Sequence, residues 1–133
     1  MVKLTLDLII QKCKTDNLQK ITKLDVWSSE LEEVSLVKDL PALEICSLSL
    51  NKITSLKFFQ YSINLTELYL RKNLITDLFE IKNLRNCTKL KVLWLWDNPI
   101  AQHPLYRQYI IKNLPNLMKL DNTPISIEER QEC

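Results

Sequence analysis

The chain has 133 residues, 46% apolar and 26% charged, the values of one globular domain able to hide about two-thirds of its unfolded surface. Its formal net charge of +2 is too small to argue for nucleic acid. It holds no glycine, which removes every phosphate-cradling glycine loop, and no run of about 18 apolar residues, which removes a transmembrane helix.

The first stretch is apolar but interrupted by Asp7, and no small-residue cleavage site follows, so it does not read as a signal peptide. Thr5 is placed to cap a helix over residues 6–14, with Leu6, Ile9, Ile10 and Cys13 at helical spacing. From Ile21 a single pattern returns. Its fullest copy is Leu65-Thr-Glu-Leu68-Tyr-Leu70-Arg-Lys-Asn73-Leu-Ile75-Thr-Asp-Leu78. Leu43 to Leu56 repeats it, with Cys46 at position 4 and Asn51 at position 9, and Leu90 to Ile100 repeats it with Asn98. A weaker copy starts at Ile21, with Ser29 in place of Asn, and a degenerate one starts at Leu117. The first positions are 21, 43, 65, 90 and 117, steps of 22, 22, 25 and 27.

This is the leucine-rich-repeat template. It predicts an α/β fold: a leucine-rich-repeat solenoid with a parallel concave sheet, an N-terminal helical cap and a C-terminal helical cap. The open end of a solenoid needs an amphipathic cover, and residues 1–20 supply one. The repeats run over 21–103. Residues 104–133 form the C-terminal cap and the start of a tail helix. In each repeat positions 3 to 7 are expected as strand, with 4 and 6 inward and 3, 5 and 7 on the concave face. The position-9 asparagines are expected to bond loop backbone. With no glycine, tight turns are expected to use Asn. Of the return segments, Phe79–Lys89 is the long one and is expected to hold a helical turn. Pro104 to Leu114 reads as a capping helix with Tyr106, Ile110, Ile111 and Leu114 on its apolar stripe, stopped by Pro115. Asp121 to Pro124 is a turn, and Ser126-x-x-Glu129 is a capping box for a helix that has barely begun at Cys133.

Nothing in the pattern supports catalysis, a metal or a cofactor. His103 is the single histidine, without an oriented Ser or Cys beside it, and reads as a partly buried loop residue. Glu30, Glu32 and Glu33 lack the Asp/Asn ladder and glycine of a calcium loop. Cys13, Cys46, Cys87 and Cys133 show no C-x-x-C spacing, which argues against zinc and for a reducing compartment, where the sequons at Asn64 and Asn86 stay bare. The concave positions say more. All three tryptophans fall there, as Trp27, Trp94 and Trp96, with Tyr69 and Arg71 between them and Lys72 at the rim. Arg71 and Trp96 are on adjacent strands and are expected to stack. Trp, Tyr and Arg are hot-spot residues, so this face is expected to bind a protein. The competing reading is that cross-strand rings only stabilise the sheet, or that the caps fold over them. Asp25, Glu67, Asp97 and Asp121 on the same surface disfavour a phosphate-tracking groove.

Several stretches go beyond a generic repeat. Met1-Val-Lys-Leu-Thr-Leu6, Lys14-Thr-Asp-Asn-Leu18, Leu24-Asp-Val-Trp27, Leu68-Tyr-Leu-Arg-Lys-Asn73, Val92-Leu-Trp-Leu-Trp-Asp-Asn-Pro99 and Lys119-Leu-Asp-Asn122 together resemble the cilia- and flagella-associated protein 410 family over nearly the whole chain. The resemblance implies a non-catalytic cytoskeletal adaptor of the cytoplasm, at the basal body or ciliary base of a cilium or flagellum. It also implies association with a NIMA-related kinase and a separate C-terminal helical module that oligomerises the full protein, leaving this domain monomeric with neither a membrane nor a direct nucleic-acid partner. One departure is Trp27-Ser-Ser, where that family commonly has Trp-Gly. The alternative resemblance is to the spliceosomal leucine-rich-repeat protein of the U2 particle, which shares Met-Val-Lys-Leu-Thr and works with an RNA-binding partner protein.

Overall fold

A computed structural model describes residues 1–133. Five short strands stack in parallel in chain order: β1 (Lys23–Asp25), β2 (Ile45–Ser47), β3 (Glu67–Tyr69), β4 (Val92–Trp94) and β5 (Lys119–Leu120). The register follows the repeat phase. Lys23 pairs with Ile45, Ile45 with Glu67, Glu67 with Val92, and Val92 with Lys119. Inward positions set that phase. Leu24, Cys46, Leu68 and Leu93 at position 4, and Val26, Leu48, Leu70 and Leu95 at position 6, are all fully buried. A slip of one residue would expose the whole row. Burial holds the Cys46 thiol far above its ordinary range, so it packs as a small hydrophobe.

The strands are three residues long, and β5 two, rather than the five expected. Backbone pairing nonetheless continues past them: Ser28 N–H donates to the Ser49 carbonyl (3.1 Å), Leu50 to Arg71 (2.9 Å) and Lys72 to Trp96 (3.0 Å). At position 8 the chain turns through the left-handed region, with φ of 53° at Ser28, 57° at Leu50, 58° at Lys72 and 64° at Asp97. The expectation that Asn would take such turns is corrected here. Of the residues with positive φ only Asn122 is an asparagine. The repeat geometry compels position 8 whatever its side chain, at roughly 1–2 kcal/mol for each non-glycine residue. Ser28, which stands where the resembled family has Gly, keeps the same turn.

The position-9 asparagines do what their spacing predicts. Asn73 Nδ2 donates to the carbonyls of Leu48 (3.1 Å) and Leu70 (3.0 Å), and its Oδ1 accepts from Ile53 N–H (3.0 Å). Asn51 and Asn98 make the same bridges one repeat earlier and later. Each buried amide thus ties its own turn to the preceding one. On the convex side the long return segment is expected to hold a helical turn. The structure has 3₁₀ turns in all four return segments, at Ser35–Asp39, Lys57–Tyr61, Leu78–Leu84 and Pro99–Gln102. Phe59, Ile81 and Leu84 enter the core from them.

At the N-terminus α1 (Leu6–Cys13) covers the open core, capped by Thr5, whose hydroxyl accepts from Leu8 N–H (3.2 Å). Ile9 is its buried residue, whereas Leu6 is exposed, contrary to expectation. At the other end α2 (Tyr106–Asn113) buries Tyr106, Ile110 and Ile111. After β5 the two-residue turn Asp121–Asn122, both left-handed, reverses the chain into β6 (Thr123–Pro124), which pairs antiparallel with β5. Positive φ at both central residues is the mark of a type I′ turn. The short α3 (Ile127–Glu132) is not the loose beginning that its length suggests. Arg107 holds Glu129 through a forked pair of bonds (2.5 and 2.9 Å). Arg130 bonds the carbonyls of Ile111, Leu114 and Leu117 (2.8, 3.3 and 2.6 Å), closing the C-terminal end of α2.

Candidate functional site

The parallel register delivers Tyr69 and Trp94 to facing positions on β3 and β4. Their rings meet edge to face, 5.3 Å between centroids at 75°. The Tyr69 hydroxyl donates to the Glu67 carboxylate beside it. Burial first, then that bond and its charge, push the phenol up to about 12, so it stays protonated at neutral pH. One step along the same strands Arg71 lies over Trp96, guanidinium carbon to ring centroid 4.9 Å. The expected stack therefore forms. Arg71 Nε also lies 3.7 Å from Asp97 Oδ2, beyond hydrogen-bond distance. That nitrogen is buried and without a hydrogen-bond partner.

The structure brings Tyr69, Arg71, Trp94 and Trp96 together. Lys72 stands exposed at the rim. Trp27 does not join them: it is 62% exposed and lies two strands away, across Ser47 and Ser49. Neither cap covers Trp27 or Trp96, the latter 44% exposed. The ring pairs found here are also cross-strand contacts of the kind that stabilises a sheet, so both roles act on the same side chains.

Sequence reading left Asp121 as a surface charge. In the structure its Oδ1 accepts from the N–H groups of Leu95 (2.7 Å) and Trp96 (3.0 Å), and its Oδ2 from the Tyr106 hydroxyl (2.6 Å). It fixes the backbone that carries Trp96. The signal available was an Asp at position 5 of a repeat with no Asn at position 9.

The other polar groups are engaged in structure. His103 is exposed rather than partly buried, and its Nδ1 accepts from Leu105 N–H (3.0 Å). Hydrogen bonding to the Ser35 side chain first, and then to its N–H (2.5 Å), holds the Glu33 carboxyl below the usual range. Glu32 accepts from Val2 N–H (3.1 Å), and Glu30 lies 3.8 Å from Lys52. The four cysteines are free thiols. Burial raises Cys87 to about 11. No three His, Cys, Asp or Glu side chains converge as metal ligands. What this arrangement offers is a rigid, ring-lined, hydrogen-bonding surface.

Comparison with known proteins agrees with the repeat fold. The leucine-rich repeat family matches residues 15–133. Cilia- and flagella-associated protein 410 of Mus musculus is 38% identical over 130 residues, 96% of this chain and 52% of that protein. The U2 small nuclear ribonucleoprotein A' of Emericella nidulans is 30% identical over 134 residues, 99% of this chain and 58% of that protein. The chain thus spans about half the length of the curated relatives it matches. Among solved structures, a chain of the Drosophila melanogaster SNF/U2A' complex superposes with a TM-score of 0.75 at 23% identity, covering 99% of this chain and 90% of that one, which speaks for the fold. Both resemblances drawn from the sequence are therefore found, the ciliary one at the higher identity.

Proposed function

The chain belongs to the leucine-rich repeat family, and from that premise we propose that it is a non-catalytic adaptor domain that docks a protein on its concave sheet in the service of cilium or flagellum assembly. Trp94, Trp96, Tyr69 and Arg71 are its anchors, Lys72 a rim charge and Trp27 an outlying contact. The observation that carries this reading is the Arg71–Trp96 stack, fixed beside the Tyr69–Trp94 pair and open to solvent. The mechanism is rigid presentation. Neighbouring strands already hold the rings, so little side-chain freedom is lost when a partner arrives.

The likeness to a cilia- and flagella-associated protein supports a place at a cilium or flagellum; the basal body, and a kinase of the NIMA-related class among the partners, are what the family resemblance implies. The test is affinity capture from ciliated cells with the wild-type chain and with an Arg71→Glu/Trp96→Ala double variant, both shown to be folded by thermal melts. Loss of basal-body proteins or such a kinase from the variant is expected. Equal captures by the two forms would move the site off this face. Loss of splicing proteins instead would favour the second reading, a U2-particle protein, which the lower-identity relative supports.

A further inference from the structure

The hydrogen-bonding inventory of the ring cluster is one-sided. Three carboxylates border it, and two of them are engaged by hydrogen bonds. Glu67 accepts from Tyr69 and Asp121 accepts from three donors, while Asp97 lies 3.7 Å from Arg71 without a hydrogen bond to it. The donors are unspent. Neither the Trp94 nor the Trp96 indole N–H has an acceptor, Lys119 on the neighbouring strand has no ion-pair partner, and the Arg71 guanidinium makes no hydrogen bond, with its Nε buried. The Arg71 side chain as a whole is 41% exposed, so its outer N–H groups can meet an arriving acceptor.

The wider charge pattern points the same way. The net charge of +2 conceals a strong asymmetry. Between Ile81 and Leu120 there are seven Lys and Arg residues and one carboxylate, Asp97. Of those seven, only Arg107 is in an ion pair. Lys89 and Arg85 are steadied by neutral acceptors instead, the Asn64 side-chain oxygen (2.8 Å) and the Lys82 carbonyl (3.2 Å), so their charge stays uncompensated. Of the seven, Lys119 lies on β5 next to the rings, while Lys82 and Arg85 stand at the convex turn Leu78–Leu84 and Arg107 and Lys112 on α2, so the excess acts as a long-range attraction for a partner of the other sign rather than as a patch at the site.

We infer that the partner segment seated on Tyr69, Arg71, Trp94 and Trp96 is an acidic, apolar stretch of polypeptide. An Asp or Glu side chain in it meets the Arg71 guanidinium, and apolar side chains cover the rings. This rests on the concave face being the binding site. The apolar part is required by the rings, which fill the space between the donors. A phosphate chain would need cations along the whole groove, and Ser47, Ser49 and Asp25 occupy the rest of it.

The test is selection of random 12-residue peptides displayed on phage against the whole chain. The strongest binders are then synthesised and titrated calorimetrically against wild type, Arg71→Glu, Arg71→Lys and Trp96→Ala, each checked by its melting temperature. Selected sequences should combine Asp or Glu with Leu, Phe or Trp. Replacing their acidic residue by the matching amide should weaken binding about tenfold, and Arg71→Glu about thirtyfold. Arg71→Lys, which keeps the charge and loses the planar fork, should fall between. A Glu→Lys peptide should regain affinity for Arg71→Glu. Peptides that lose affinity for Trp96→Ala but are neutral or basic, or are indifferent to Arg71→Glu, would overturn the acidic partner and leave the concave site standing. Peptides that bind Trp96→Ala as tightly as wild type would overturn both.

Discussion

The two halves of the concave sheet share one backbone and differ in what it carries. β1 and β2 show Asp25, Ser47 and Ser49, with Trp27 standing alone, whereas β3 and β4 show two ring contacts within one strand spacing. Beneath the surface the halves match: Leu24 and Cys46 are as buried as Leu68 and Leu93. In a stacked repeat the inward positions are fixed by the neighbours on each side, so the outward ones are left to differ. The uniform side reads as scaffold, and the uneven side carries the proposed docking residues.

The comparison breaks first on the scaffold. Leu48→Ala and Leu70→Ala, at equivalent buried sites in the two halves, should each cost about 2–5 kcal/mol in denaturant unfolding. A large cost in one half and a small one in the other would mean that the halves are not equivalent underneath. Next comes the outward side. With the captured partner, Trp96→Ala should cost about 2 kcal/mol or more of affinity, and Trp27→Ala well under that, with melting temperatures little changed. Equal losses would erase the distinction between the halves. Asn73→Ala sits where they join and removes the acceptor for Ile53 N–H and the donor for two carbonyls. It should lower stability by about 1–3 kcal/mol, seen as a shift in denaturation midpoint.

The smallest effect separates the two ends. Arg107 holds the Glu129 carboxyl below its usual range, so the native pKa lies beneath the unfolded value. The linked stability is then complete above about pH 4.3 and is lost as pH falls through the native value. NMR signals of Ile127–Glu132 should therefore report release of α3 in acid before the repeats respond. In Glu129→Gln the same signals should show a looser helix already at neutral pH.

The repeats were legible because burial and a buried amide leave periodic marks. Position 4, position 6 and the asparagines gave the strand register residue for residue, and the same count put Arg71 beside Trp96. Three things left no such mark. The left-handed position 8 is usually advertised by glycine, and here Ser28, Leu50, Lys72 and Asp97 take it under the constraint of the turns on either side. The 3₁₀ turns of the convex side are too short for a helical period to show. The clamps that hold α3 and the Trp96 backbone join residues many positions apart, Arg107 to Glu129 and Asp121 to Leu95, which no local pattern announces. For the site, sequence named the members, and only the structure showed that Trp27 stands apart and that Glu67 and Asp121 are held in hydrogen bonds.

The hairpin after β5 bears on crowding among copies. A stack of parallel strands that ended bare would present a row of unpaired amides and carbonyls, a template for any extended chain that drifted alongside. Here the Asp121–Asn122 reversal lays β6 along that row, and the outermost strand includes Pro124, which has no N–H to offer. Sheet growth by edge pairing is hindered where the aromatic face is richest, so the rings stay open to a partner rather than to another copy of the same sheet.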